Sequence, residues 1–420
     1  MAVTFRKKHS SLLAMLSRQR GESIKRLTKL ADSDLGLIID SFKEVRSLGF
    51  YSIITRQLLE YFIFQGINGY DDRRILRILK QINKLQIKLT ARPNTTRLGL
   101  YTLFVFIPSY IELYQVPYIE WVNFYSLTKS PLGTILLYYI PANKRDELIE
   151  LINRELKAYN LDSKRRPWFY LFEDADRIQP SFYKMNNNPT YYRRLFTGYR
   201  YNELKNIFEH LLYNRNEIRI ESPDKYSPHD LIDLVLLKEF QLNALKTVPE
   251  IAEKYTVPQR IIRRHLEKHI NDKLIKGVFL QMKDFVLLFK EPVLMRLSID
   301  KKEDFETVAR FFKSLATTIG IYYATDRVDG NEFLDNSKYE LLVIMFNPIA
   351  NEDVIYRFII KHLIGQDYAR DINIFVYTTF RTAKATIPYT NFDQEERNWT
   401  LRTEISYTSF VRRLIKQLPK

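Results

Sequence analysis

The sequence predicts an α+β chain built twice over, each half a helix-turn-helix unit followed by a βαββαβ layer. Three observations carry this. Two helix-start signals lie nine residues apart at Thr247 and Thr256, a strand–helix alternation runs from Pro292 to Phe380, and a fainter copy of both spans Ile53 to Phe172.

The helix-turn-helix is clearest between Ser227 and Gly277. An apolar helix marked by Leu231, Leu234, Val235 and Leu237 to Phe240 is opened by Ser227-Pro228. Thr247-Val-Pro-Glu250 then has the pattern of a capping box with proline in the first turn, leading into Ile251 to Tyr255. Thr256-Val-Pro-Gln259 repeats that start and opens a basic helix from Gln259 to Ile270. Room remains for one short helix and a tight turn, the spacing of a helix-turn-helix. Leu274 to Gln281 and Phe285 to Phe289 read as two strands of a wing around Met282-Lys-Asp284.

Beyond it, strands are expected at Pro292–Ile299, Ile319–Thr325, Tyr339–Phe346 and Ile372–Phe380, with helices at Asp304–Ala316 and Asn351–Ile364. That order, βαββαβ, defines a ferredoxin-like sandwich. In the first half, helices at Ile53–Phe64 and Asp71–Lys84 precede strands at Tyr101–Ile107, Val122–Ser126, Ile135–Ile140 and Trp168–Phe172. A helix at Lys144–Ala158 belongs with them, and the other helix of this sandwich is short, around Tyr110–Leu113. A degenerate internal duplication follows.

The expected organisation is a basic arm over 1–31, a first winged helix-turn-helix over 32–95 and a first ferredoxin-like domain over 96–180. A linker with a bridging helix occupies 181–226. A second winged helix-turn-helix covers 227–290, a second ferredoxin-like domain 291–385, and a C-terminal extension with a short helix 386–420.

A length of 420 residues suits two to four domains, and 12 glycines leave little for long flexible linkers. The 65 Lys and Arg against 49 Asp and Glu give a net charge of +16, which favours a polyanionic partner. Without cysteine, disulfides, thiolate zinc sites and thiol nucleophiles are excluded. No signal core or membrane-length apolar run is present, so no membrane partner is expected and the chain reads as cytoplasmic and nucleoid-associated. Few glutamines and glycines beside many isoleucines, tyrosines, lysines and arginines are compatible with a thermophilic source.

A helix-turn-helix, wing and βαββαβ sandwich in that order resembles the leucine-responsive regulatory protein (Lrp/AsnC) family of archaeal and bacterial transcription regulators. The likeness runs through Ile251-Ala252, Val257, Arg263-Arg-His-Leu-Glu-Lys268, Leu274-Ile-Lys-Gly277 and Lys338-Tyr-Glu-Leu-Leu342. It covers residues of about 228 to 380 well and about 50 to 173 by order of elements alone. The resemblance implies DNA binding and dimerisation through the sandwich. This chain departs by carrying two units. It also has Ser337 in place of the family's effector-site glycine, and Ser130-Pro-Leu-Gly133 replaces that motif only loosely in the first half, so an amino-acid effector is not expected.

Arginine or glutamine near the start of a groove-filling helix reaches base edges, while flanking lysines and arginines meet phosphates. The candidate DNA-binding residues of the second unit are Gln259, Arg260, Arg263, Arg264 and Lys268, with Lys273, Lys276 and Lys283 on the wing. Those of the first are Arg73, Arg74, Arg77, Lys80 and Lys84. The plainer alternative is a solvated basic face.

His265 and His269 stand one turn apart, but Glu267 between them points elsewhere and no third ligand is evident nearby, so helix packing or phosphate contact is expected and metal is not. Asp326, Asp329, Glu332 and Asp335 read as a solvated loop without calcium-loop spacing. Tyr191-Tyr-Arg-Arg194 and Tyr199-Arg-Tyr201 read as cover for apolar surface. A Gly-rich phosphate loop, a nucleophile elbow and a paired-carboxylate signature are lacking, so no cofactor or catalytic residue is expected and the chain reads as a non-enzyme.

The reading is a pseudo-symmetric monomer, or a dimer of such monomers, that binds double-stranded DNA with two recognition helices about one turn apart. Three alternatives stay open: a replication initiator with two winged helices, a nucleic-acid enzyme using Asp326 or Asp335, and an RNA-binding module whose sheet displays aromatics.

Overall fold

The computed structural model describes residues 33–84, 88–158, 166–181, 184, 187–213, 217–224, 229–280, 291–325, 339–347, 352–377 and 386–401. The basic arm, the acidic loop at 326–335 and the expected terminal helix at 410–418 lie outside them. Within them the chain is mixed α+β, with one large antiparallel sheet flanked by helices.

The first helical unit comprises α1 (Ser33–Ser41), α2 (Tyr51–Phe64) and α3 (Asp72–Lys84). Helix α3 buries Ile75, Ile78, Leu79 and Ile82, the three- and four-residue spacing of an amphipathic helix. Asp71 accepts the Arg74 N–H at 2.7 Å and so helps cap its start. Strand β1 (Leu89–Pro93) follows.

The first half of the sheet is built from β2 (Leu100–Ile107), β3 (Val122–Ser130), β4 (Leu132–Pro141) and β5 (Trp168–Phe172), with α4 (Arg145–Ala158) packed outside. In place of the short helix expected around Tyr110–Leu113 are two 3-10 turns, Leu113–Gln115 and Ile119–Trp121. Trp121, fully buried, closes the second turn. Strand β6 (Asp174–Arg177) comes one residue after β5.

Helices α5 (Pro189–Thr197) and α6 (Tyr201–Tyr213) link the halves. Arg194 lies 5.5 Å over the Tyr199 ring, and the buried Tyr199 hydroxyl accepts the Ala316 N–H at 2.7 Å. Arg194 and Tyr199 therefore pack on the protein itself, while Tyr192 stays 52% exposed.

The second unit comprises α7 (Leu231–Leu242), α8 (Val248–Tyr255) and α9 (Gln259–His265), the last continuing as π-helix over Leu266–Leu274. The Thr247–Glu250 capping box is present, and Thr256 makes the turn in the left-handed region at φ 56°. Helix α7 is capped by Asp230, and Asp230 and Asp233 cap each other reciprocally, while Ser227-Pro228, its expected opening, lies outside the described residues.

Strand β7 (Ile275–Leu280) is the first of the two expected wing strands. It pairs antiparallel with β1 of the first half, Leu89 opposite Leu280 and Arg92 opposite Gly277. Residues 285–289, the other expected wing strand, fall outside the described region. The two helical units thus share one two-stranded ribbon.

The second half continues with β8 (Glu291–Ile299), α10 (Lys302–Ser314), β9 (Thr318–Thr325), β10 (Tyr339–Asn347), α11 (Glu352–Phe358) with a π-helical extension Ile359–Ile364, and β11 (Asp371–Tyr377). The sheet order is β5-β2-β4-β3-β11-β8-β10-β9-β6. Each half contributes its four strands in the same sense, fourth-first-third-second, and they join edge to edge through β3 and β11.

The two end strands of this order, β5 and β6, are separated in the chain only by Glu173. The sheet therefore bends back on itself, and one inner face holds Phe104, Phe106, Phe172, Leu294, Leu342, Phe375 and Tyr377. The Phe375 ring sits 5.4 Å from Phe104 and 4.8 Å from Phe106, between centroids, so both halves fill one core. A buried ion pair lies on the same side: Arg296 donates to Glu340 at 2.7 and 2.5 Å, and Tyr170 of the first half covers its guanidinium at 4.2 Å. The outer faces carry α4 on one half and α6, α10 and α11 on the other, joined through Phe208, Phe311 and Phe358.

The C-terminal strands β12 (Phe392–Asp393) and β13 (Asn398–Trp399) return to the first half, where Trp399 donates its indole N–H to Leu98 at 2.8 Å. Among the described residues no helix is long and apolar enough to cross a membrane.

Phe375→Ala removes a ring shared by both halves and is expected to cost about 4 kcal/mol in denaturant unfolding. Leu132→Ala, at a position 78% exposed, is the control and should change stability by less than about 0.5 kcal/mol.

Candidate nucleic-acid interface

Helices α3 and α9 are the third helices of their units and carry most of the predicted contact residues. On α3, Arg73, Arg77 and Lys80 are exposed and follow one another at four and three residues, so they lie along one side of the helix. The opposite side holds Ile75, Ile78, Leu79 and Ile82 in the core. On α9 and its extension, Gln259, Arg260, Arg264 and Lys268 are exposed, the last three at four-residue spacing. Ile261, Ile262, His265 and Leu266 are buried beneath them.

Other predicted contacts are already engaged inside the protein. Arg74 donates to Asp34 at 3.2 and 2.5 Å and to the Gly69 carbonyl at 2.7 Å, with its guanidinium 4.6 Å over the Tyr70 ring. This raises the pKa of Arg74, chiefly through its hydrogen bond to Asp34. Arg74 is thus a strut between α1 and α3, which corrects its assignment to the DNA face. Arg263 is exposed as well, and its guanidinium lies 5.0 Å over the ring of Phe50, in the loop of the first unit, so it bridges the two units from the surface.

Lys276 is half-buried on the shared ribbon, where its ammonium pairs with Asp174. It is not on a projecting wing. Lys273 belongs to the helical stretch Leu266–Leu274 instead of the wing, and Lys84 ends α3; the side chains of both fall outside the described region. So does Lys283 entirely.

The two units touch closely beside these helices. Gly49, at φ +94°, takes a backbone conformation that favours glycine, and a Cβ there would come within 2.8 Å of the Leu266 side chain. The Gly49 carbonyl accepts the Val248 N–H at 3.0 Å, and the Leu89 carbonyl accepts that of Ala244 at 2.8 Å. Position and orientation of α9 are therefore set partly by the first half.

Inside the second unit, Glu239 of α7 is completely buried and accepts from Lys254 at 2.8 Å, from the Tyr255 hydroxyl at 2.5 Å, and from Lys246. Burial alone would raise its pKa. The donors from Lys246, Lys254 and Tyr255 outweigh that and hold it down at about 2.

Below α9 the structure brings together residues that sequence spacing left apart. Asp233 accepts from His265 Nδ1 at 2.9 Å and from His269 Nδ1 at 2.8 Å, and Asp230 lies 3.4 Å from His265. Burial would lower the His265 pKa, but the hydrogen bond to Asp233 and the charges of Asp230 and Asp233 carry it upward. Burial and then Asp233 raise that of Asp230. The i,i+3 acid pair Asp230/Asp233 was readable in the sequence. Its meeting with a histidine pair 32 residues away was not, because only helix packing unites them.

These features define an α+β protein with paired three-helix units on a shared, self-closing sheet. No protein-family model matches the sequence, and no characterised protein aligns with it significantly. Two solved structures resemble it in fold. One is the siroheme decarboxylase NirDL, at a TM-score of 0.42 and 10% identity, over 90% of this chain and 96% of that one. The other is the same enzyme in complex with an iron-uroporphyrin III analogue, at 0.41 and 10%, over 90% and 97%. Both structures are of an enzyme, and the expectation that this chain is not an enzyme is withdrawn.

The Glu239 pKa lies below its ordinary value of 4.5, so its stabilising contribution is complete above that value and is lost as pH falls towards 2. Unfolding free energy is expected to drop by about 3 kcal/mol over that interval through this group alone. Glu239→Gln should remove that part of the acid dependence, measured by denaturant unfolding at stepped pH.

Proposed function

We propose that the chain binds double-stranded DNA, as a transcription regulator in which a duplicated Lrp/AsnC-like unit places two recognition helices on one polypeptide. The observation that carries this reading is the pair of exposed basic stripes, Arg73–Arg77–Lys80 on α3 and Arg260–Arg264–Lys268 on α9 with Gln259 beside the latter. Each stripe lies on the third helix of a three-helix unit, the element that enters the major groove in helix-turn-helix proteins.

The net charge of +16 favours the same class of partner. The fourth-first-third-second strand order of each half agrees with a ferredoxin-like sandwich, and the β1–β7 ribbon links the two helical units. On this reading, two such halves in one chain do the work that two separate subunits do in a dimer. On this reading Arg77, Lys80, Arg260 and Lys268 meet phosphates, and Gln259, Arg73 and Arg264 reach base edges. Arg74, Arg263 and Lys276 hold the frame. Association with the nucleoid follows from DNA binding.

Fluorescence anisotropy with labelled duplex tests this across a salt series. Affinity should fall steeply with salt, and Arg77→Ala and Lys268→Ala should each reduce the slope of log K against log salt by about 1. Arg74→Ala should leave that slope unchanged. Equal or stronger binding of single-stranded RNA, or a slope indifferent to both stripe substitutions, would overturn the reading in favour of a solvated basic face or an RNA-binding module.

A further inference from the structure

The geometry points to a binding site for one divalent transition-metal ion, of the zinc class, formed by Asp230, Asp233, His265 and His269 beneath the second unit's third helix. Each can offer one ligand atom, and these four atoms lie within 4.8 Å of one another. Asp230 and Asp233 are the cap and third residue at the start of α7, so their carboxylates stand side by side. His265 and His269 are one turn apart on α9 and its extension, so their imidazoles face the same way.

Ligand chemistry selects the ion. Two neutral imidazole nitrogens and two carboxylate oxygens balance a 2+ charge, and this donor set suits zinc and similar borderline ions. Calcium and magnesium prefer oxygen alone. Zinc holds such donors at about 2.0–2.2 Å in a tetrahedron, which puts neighbouring donors roughly 3.3 Å apart. His265 Nδ1 lies 2.9 Å from one Asp233 oxygen and 3.4 Å from Asp230, and His269 Nδ1 lies 2.8 Å from the other Asp233 oxygen, so side-chain rotation has to draw four atoms now within 4.8 Å of one another onto the ion.

The site is both fixed and reachable. Backbone N–H groups of the reciprocal cap hold the two carboxylates, at 2.9 and 3.1 Å, whether or not an ion is bound. Asp233 and His265 form a buried base, while the side chains of His269 and Asp230 are 35% and 24% exposed and open an entry path. An ion here ties α7 to the helix that carries Arg260, Arg264 and Lys268. The assignment stands independently of DNA binding.

The test uses the full chain, stripped with chelator and titrated with Co2+ and then Zn2+. One Co2+ per chain should bind with the intense visible absorption of a tetrahedral site, and Zn2+ should displace it. His269→Ala, at the exposed side, and Asp230→Ser, which keeps a capping oxygen, should each weaken binding by about tenfold or more. Circular dichroism confirms that both variants remain folded. Absence of the absorption band from the unmutated chain, or unchanged affinity in both folded variants, overturns the assignment and leaves a hydrogen-bonded His–Asp–His cluster.

Discussion

The rest of the structure depends on a sheet that closes on itself. Strand β5 ends the order at one edge and β6 ends it at the other, yet only Glu173 separates them in the chain. Glu173 holds this corner: its N–H donates to the Tyr323 carbonyl at 2.8 Å, and its carboxylate accepts from Thr325 at 2.7 and 3.1 Å. At the opposite join β3 pairs with β11. Once both joins exist, the two halves cannot part without exposing the Phe104, Phe106 and Phe375 rings. Burial of aromatic groups of this size stabilises by roughly 1.5–3 kcal/mol each.

That closure reaches the helical units through the ribbon. Strand β1 leads from α3 and β7 from the extension of α9, so pairing them ties the ends of both third helices together. Gly49, Phe50 and Arg263 add a direct contact between the units. The two basic stripes are consequently parts of one body, and the exposed Arg263 contributes to the joint that makes them so.

How much of this was legible follows from the range over which each element is decided. The strands of the second half, and the helices that bury Phe305, Val308 and Phe311, follow from local periodicity and lie within a few residues of expectation. So do the caps at Thr247 and the helix after Pro258. Strands β1 and β6 went unseen. Leu89–Pro93 is five residues ending in proline, and Asp174–Arg177 has three charged residues in four, so each is a strand only because of a distant partner. The pairing of β7 with β1 is equally illegible locally, since its partner lies more than 180 residues away in sequence. Arginine roles were legible only as a set: periodicity put Arg73, Arg77 and Arg264 outside, but nothing local showed that Asp34 claims Arg74. The histidine pair was visible, whereas the carboxylates that complete it come from another helix.

If the reading above holds, one chain presents two basic helices together to a single duplex. Hydroxyl-radical footprinting of a bound duplex at low salt, with the complex sized to show one chain per DNA, tests it most directly. The account predicts two protected patches that appear at the same protein concentration, and the loss of both when Arg260 and Arg264 are reversed to glutamate. A single patch from the intact chain, or one that persists undiminished after that reversal, contradicts it.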